Sequence, residues 1–325
     1  MTATARRNSR RKPTDEQIAD RAAKVEALTE QLHAAVLDLT SSEAWLALLA
    51  VASRFPTYSW RNQVLLAVQA ADRGMNLSRV AGFNRWRQLG RIVRRGEKGL
   101  AILAPVRRRL SAQEAAKRHA EHLPGYDRDG RPIIVVRGFR IEHVFDQSQT
   151  EQIPGAQQLP EPRPWVAQRG QGPAGLWDAI CALITAAGYE IEHRPPVGAD
   201  ATSHGWTDGH RKIVWIRSDV NEAEQIRVAI HELAHIRADH LGDDDSGRDI
   251  SRAQRETEAD SIAHVVASWA GLDVAASAVE YVAGWSGGDA EILEAALSAI
   301  HQAATSIIAD LDAELDAALD TGEGS

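Results

Sequence analysis

Residues 228–238 read VAIHELAHIRA, with His231 and His235 four apart and Glu232 directly after the first. On a helix, positions i and i+4 share a face one turn apart, so both imidazoles can bind one ion. Glu232 reaches a water on that ion rather than the ion itself, which is the H-E-x-x-H arrangement of zinc hydrolases. A bound zinc would lower the water's pKa, Glu232 would take its proton, and the hydroxide would attack a carbonyl. The chain has 12 histidines in 325 residues. Random placement then gives roughly 0.03 such matches per chain, so the pattern is specific. Asn221 with Glu224 three residues on predicts the helix start, and Gly242 predicts its exit.

One zinc ion needs a further protein ligand. Downstream lies SRAQRETEADSIAHVVASWAGLD, a helix predicted to open at Ser251 with Gln254 and to close at Gly271. Its apolar face is Ile262, Val265, Val266 and Trp269, and Glu258 extends that face by one turn. Glu258 is therefore the expected third ligand. Glu256 and Asp260 sit on other faces as solvated or supporting groups, with the option that either replaces or assists Glu258. His264 reads as a packing residue and His240 as solvent-facing. The acidic loop after Gly242 reads as solvated. The strand KIVWIR, Lys212–Arg217, offers either an exposed edge for an extended peptide or a plain core strand. Tyr281 offers a phenol for a developing oxyanion, with core packing as the plainer role.

Charge divides the chain. Its net charge is -8, yet residues 1–150 hold 26 Lys+Arg against 15 Asp+Glu, and residues 151–325 hold 11 against 30. Such a split predicts two domains with different partners, the first suited to a polyanion. Within residues 51–110 the only acids are Asp72 and Glu97. Arg61, Arg79, Arg85, Arg87, Arg91, Arg94, Arg95 and Lys98 are candidate phosphate contacts there. Tyr58, Trp60, Phe83 and Trp86 are candidate stacking rings, and Asn62 sits among them. Single-stranded nucleic acid is bound by that mixture of cations and rings. The competing reading is that the rings are core and the arginines solvated.

The single cysteine, Cys181, excludes an internal disulfide and a cysteine-rich zinc finger and fits a reducing cytosol. The longest apolar run, Ala44–Ala52, is far short of the roughly 20 residues that span a bilayer, so no membrane partner is expected. The basic stretch MTATARRNSRRK lacks an apolar signal core.

Helices are predicted over about 15–39, 43–53, 60–73 and 176–187, with a short one around Trp86. Strands Arg91–Arg94 and Leu100–Ala104 are expected to pair across the Gly96–Gly99 turn, and Pro132–Phe145 is expected to return as β structure. IPGAQQLPEPRPW, residues 153–165, carries four of the chain's twelve prolines and reads as a linker.

The stretch YSWRNQVLLAVQ…RVAGFNRWRQLGRIVRRGEKGLAILAP, with GFRIEHVFDQSQTE, resembles the single-stranded-DNA-binding domain of ArdC-type antirestriction proteins. HELAH and the ETEAD helix resemble the zinc peptidase domain of ArdC and of the ImmA/IrrE metallopeptidases. The resemblance implies His231, His235 and Glu258 as zinc ligands and Glu232 as general base. It also implies an origin in plasmids, phages or integrated elements.

The expectation is thus an α+β chain in two domains, the second mostly helical and zincin-like with a small sheet. Residues 1–13 form a basic arm, 14–152 the DNA-binding domain, 153–165 the linker and 166–320 the peptidase domain. The expected function is a cytoplasmic zinc endopeptidase acting on a protein or peptide near single-stranded DNA. The alternatives are a non-proteolytic protein that masks DNA and a regulatory protease that cleaves a repressor.

Overall fold

The structure is a computed structural model that describes residues 14–39, 41–159, 172–241, 248–272 and 289–322. The basic arm, most of the proline-rich linker, Gly242 and Tyr281 lie outside the described residues. The fold is α+β, as expected.

Two compact units emerge, and they do not follow chain order: residues 1–32 with 101–143, and residues 33–100 with 144–325. In the first unit, strand β3 (Leu100–Arg109) and strand β4 (Ile134–Asp146) are sheet neighbours. Helix α5 (Ala112–Ala120) lies between them in sequence. Its start is fixed by a capping box: Ser111 Oγ accepts from Glu114 N–H and Glu114 accepts from Ser111 N–H.

The second unit opens with helices α2 (Ser42–Arg54) and α3 (Trp60–Asp72), which follow α1 (Asp15–Leu37). Trp45 Nε1 on α2 donates to Ser261 Oγ at 3.0 Å, and in the connection from α2 to α3 the Pro56 carbonyl accepts from Thr305 Oγ1 at 3.1 Å. Strand β1 (Val80–Gly82) pairs antiparallel with Val144–Asp146 and leads into helix α4 (Phe83–Gln88). Strand β2 (Arg91–Val93) pairs with β5 (Thr150–Gln152), not with β3 as expected. The turn after β2 is held by distant partners. Gln149 donates to the Lys98 carbonyl at 2.9 Å, and Arg73 donates to the carbonyls of Lys98 and Gly99. These bonds satisfy backbone groups that a local hairpin would have used.

Helix α6 (Leu176–Ala186) precedes a three-stranded sheet of order β6–β8–β7, formed by Glu190–Arg194, Ile213–Arg217 and Gly205–Asp208. β6 runs parallel to β8 and β7 antiparallel to it. Val214, Trp215 and Ile216 are all fully buried. Three consecutive buried residues belong to a strand covered on both faces. In the sheet β8 lies between β6 and β7 and has no free edge, which excludes it as a peptide-binding edge; β6 and β7 are the outer strands.

Helices α7 (Glu222–Arg237) and α8 (Arg252–Trp269) pack against each other, and α9 (Ala290–Gly322) packs on α8. Asn221 and Ser251 cap α7 and α8 as predicted. α7 ends at Arg237, five residues before Gly242, where Asp239 takes a left-handed φ of 58°. Within α9, Ala290–Ala317 is long and apolar enough to cross a membrane by length and composition, although 44% of that window is buried in the unit.

Candidate metal centre

His231 and His235 project from α7 as neighbours one turn apart, with their Nε2 atoms 3.1 Å from each other. Glu256 on α8 brings Oε2 to 3.6 Å from His231 Nε2 and 3.7 Å from His235 Nε2. Ligands about 2.0–2.1 Å from one tetrahedral centre lie about 3.3 Å apart, and the three observed separations bracket that value. The donor set of two imidazoles and one carboxylate suits a divalent transition ion. Among the described residues, His231, His235 and Glu256 form the group able to hold a metal.

Glu258 does not join this trio, contrary to expectation. Its carboxylate is fully buried and is taken up by Arg248, by Gln254 Nε2 at 2.8 Å and by His240 Nε2 at 3.1 Å. The cause lies in the helix face. Glu258 sits at the centre of the buried stripe of α8, with Ser261, Ile262 and Val265. A site that substrate must reach lies at the margin of such a stripe. Glu256 and Asp260, four apart, hold that margin and face the His231/His235 pair. Asp260 Oδ1 lies 2.9 Å from His231 Nδ1, an ion-pair contact without the alignment of a full hydrogen bond. His240 is also misplaced by the sequence reading: it is 4% exposed, and its Nδ1 lies 3.1 Å from His235 Nδ1. His264 is buried in α8.

Glu232 is 5% exposed, and its Oε2 accepts a 2.7 Å hydrogen bond from Thr207 Oγ1 on β7. The sequence reading missed Thr207, because β7 is four residues long and shows no period. Gly205 on the same strand lets the backbone pass over α7. A Cβ there would stand 2.5 Å from Val228 Cγ1 and 3.0 Å from Glu232 Oε1.

The electrostatics favour a cation. Burial pulls the His231 pKa down, but Asp260, Glu256 and Glu232 outweigh it and raise it to about 10. The carboxyl of Glu256 is held well below its ordinary range, chiefly by the neighbouring imidazoles of His231 and then His235. Burial pushes Glu232 up despite the histidines and Thr207. A carboxylate raised in this way is a stronger proton acceptor.

The twelve expected DNA contacts fall into three groups. Trp60, Asn62 and Trp86 are buried, so they cannot present faces to bases. Trp86 Nε1 donates to the Phe145 carbonyl at 2.8 Å. Arg61, Arg91 and Arg94 are engaged: Arg61 lies over the Trp60 ring and 3.5 Å from Glu294, Arg91 donates to Thr150, and Arg94 pairs with Glu97 at 2.7 Å. Arg79 is half-buried, while Phe83, Arg85, Arg87, Arg95 and Lys98 are exposed.

Comparison with known proteins separates the chain into the same two parts as the resemblance. Residues 15–140 match the family model of the N-terminal domain of anti-restriction factor ArdC. Residues 186–269 match that of the IrrE N-terminal-like domain, a peptidase-family model. The chain thus joins an ArdC-type N-terminal domain to an IrrE-like domain. Among solved structures it is similar to the antirestriction ArdC protein from plasmid R388. The metal-free form has a TM-score of 0.45 at 17% identity, over 81% of this chain and 86% of that one. The Mn(II)-bound form has a TM-score of 0.48 at 16% identity, over 88% and 97%. No curated protein matches the chain. The IrrE-like match and the His231/His235/Glu256 trio together indicate a divalent-metal site.

Proposed function

We propose that this protein is a zinc-dependent endopeptidase coupled to a single-stranded-DNA-binding region and serving antirestriction or DNA-associated proteolysis for a mobile element. The observation that carries this reading is a buried glutamate, Glu232, fixed by Thr207 of the outer strand β7 and adjoining the His231/His235/Glu256 trio. His231, His235 and Glu256 are the proposed ligands. When bound, zinc supplies Lewis acidity and a water acidic enough to react near neutral pH.

The protein's own groups do the rest. Among the described residues β7 pairs with β8 alone, and its other edge is the proposed place for a peptide held as an added strand. Glu232 accepts the proton of the attacking water and returns it to the departing amine. Thr207 keeps the carboxylate aimed. A purely structural metal site, or a protein that only masks DNA, has no use for such a base.

The DNA-binding function is assigned to residues 14–152, the linker to 153–165 and the peptidase to 166–320. The proposed phosphate and base contacts are Phe83, Arg85 and Arg87 on α4 and Arg95 and Lys98 after β2. A cytoplasmic location follows from the DNA partner and the unpaired thiol. Glu232→Gln should reduce peptide cleavage by about 10²–10⁴-fold while zinc stays bound. Undiminished cleavage would remove Glu232 from the reaction.

A further inference from the structure

Glu258 lies too deep to be a ligand, yet it connects to the histidine pair through one residue. The left-handed turn at Asp239 brings the His240 N–H onto the His235 carbonyl at 3.0 Å. It also sets the two rings 5.2 Å apart, steeply inclined. His240 Nδ1 then faces His235 Nδ1 at 3.1 Å, and His240 Nε2 faces Glu258 Oε2 at 3.1 Å.

The protons in this chain can be counted. The Glu258 carboxylate is surrounded by donors, Arg248 and Gln254 among them, so it accepts from His240 Nε2–H. Arg248 already balances its charge. With its Nε2–H given to Glu258, the His240 ring turns its other nitrogen, Nδ1, to His235 as the acceptor. The proton spanning the 3.1 Å gap belongs to His235 Nδ1. That leaves the His235 Nε2 lone pair facing His231 and Glu256.

We propose that Glu258 and His240 form a buried carboxylate–imidazole brace that fixes the tautomer and ring direction of His235. Both are positioning residues. The inference rests on the metal reading above. Outer partners that orient a ligating histidine are worth about 10–100-fold in metal affinity.

The full chain loaded with Zn²⁺ provides the test, by long-range ¹H–¹⁵N correlation spectroscopy of its histidines. The brace predicts His235 protonated at Nδ1 only and His240 at Nε2 only. In chelator competition, His240→Phe should weaken Zn²⁺ binding by about 10–100-fold, and His240→Asn, which keeps an acceptor oxygen, should recover part of that loss. Should His240→Phe not fold, the wild-type spectrum decides alone. A doubly protonated His240, or His235 protonated at Nε2, overturns the brace. So does a folded His240→Phe whose affinity stays within about twofold of wild type. A wild-type chain that takes up no Zn²⁺ overturns the metal reading and the brace with it. Tight Zn²⁺ binding with the other His235 tautomer overturns the brace alone.

Discussion

His231 and His235 keep 17% and 12% of their side-chain surface exposed and turn their ring nitrogens to one point. Trp60 and Trp86, the largest rings of the basic stretch, are closed into the core. Both regions carry residue types that suggest chemistry, but their evidence differs in kind. An i, i+4 histidine pair with an adjacent glutamate is constrained by ligand geometry, so its spacing is already a statement about structure. A mixture of arginines and aromatics is constrained by composition alone, and a folding core claims its largest aromatics first. In this region, fixed spacing identifies function more safely than composition does.

The sharpest contrast is between two rings in the basic stretch. Trp86→Ala should destabilise the protein by about 3–5 kcal/mol in denaturant unfolding. Phe83→Ala, at an exposed ring, should stay within about 0.5 kcal/mol of wild type and lower single-stranded DNA affinity instead. Equal destabilisation by both would erase the distinction between core and surface rings.

A second comparison concerns what holds the base. Gly205→Ala pushes a methyl against Val228 and the Glu232 carboxylate. Displacing the base by about 1 Å should lower kcat about 100-fold, read in a peptide-cleavage assay with zinc content unchanged. Full activity would show that β7 does not set the position of Glu232.

Smaller again is the expected effect of Arg85→Ala. One lost phosphate contact should weaken DNA binding evenly across sequences and reduce the salt slope by about 0.7. An unchanged slope would move the interface away from α4.

The smallest effect lies in the other compact unit. Glu114 is drawn down to about 2 from 4.5, first by Arg108 and then by Ser111. A depressed folded pKa contributes stability that is present above 4.5 and lost as pH falls toward 2. Glu114→Gln should therefore melt below wild type at pH 6, with the gap closing over that window. A gap that persists at pH 2 would assign the effect to something other than charge.

Much of this was legible beforehand. The long helices followed from apolar spacing, and the starts of α7 and α8 followed from Asn221 and Ser251. Strands β6 and β7 were not, because EIEHR and GWTD are short and polar with no clear period. KIVWIR did hold a clue, since an unbroken apolar run marks a strand covered on both faces, although its place between β6 and β7 is visible only in the sheet. Glu258 was expected to face the histidines because the apolar stripe was taken as the guide, whereas Glu256 and Asp260 stand there. Glu256 and Asp260 repeat the i, i+4 spacing of His231 and His235, and that match marks them as the facing pair. The role of His240 was hidden, because it depends on a left-handed turn at Asp239, a residue type that only sometimes adopts one. In the DQSQTE segment, buried Asp146 accepts from the N–H groups of Ser78 and Arg79 and so pins the entry to β1, a long-range role that its sequence neighbours do not reveal.

The proposed chemistry requires one ion held by His231, His235 and Glu256. Elemental analysis of the purified, untagged wild-type chain and of Glu256→Ala tests it most directly. The expected result is stoichiometric zinc in the wild type and its loss from a folded Glu256→Ala. A wild-type chain without a stoichiometric transition metal, or a Glu256→Ala variant that retains its full complement, would contradict it.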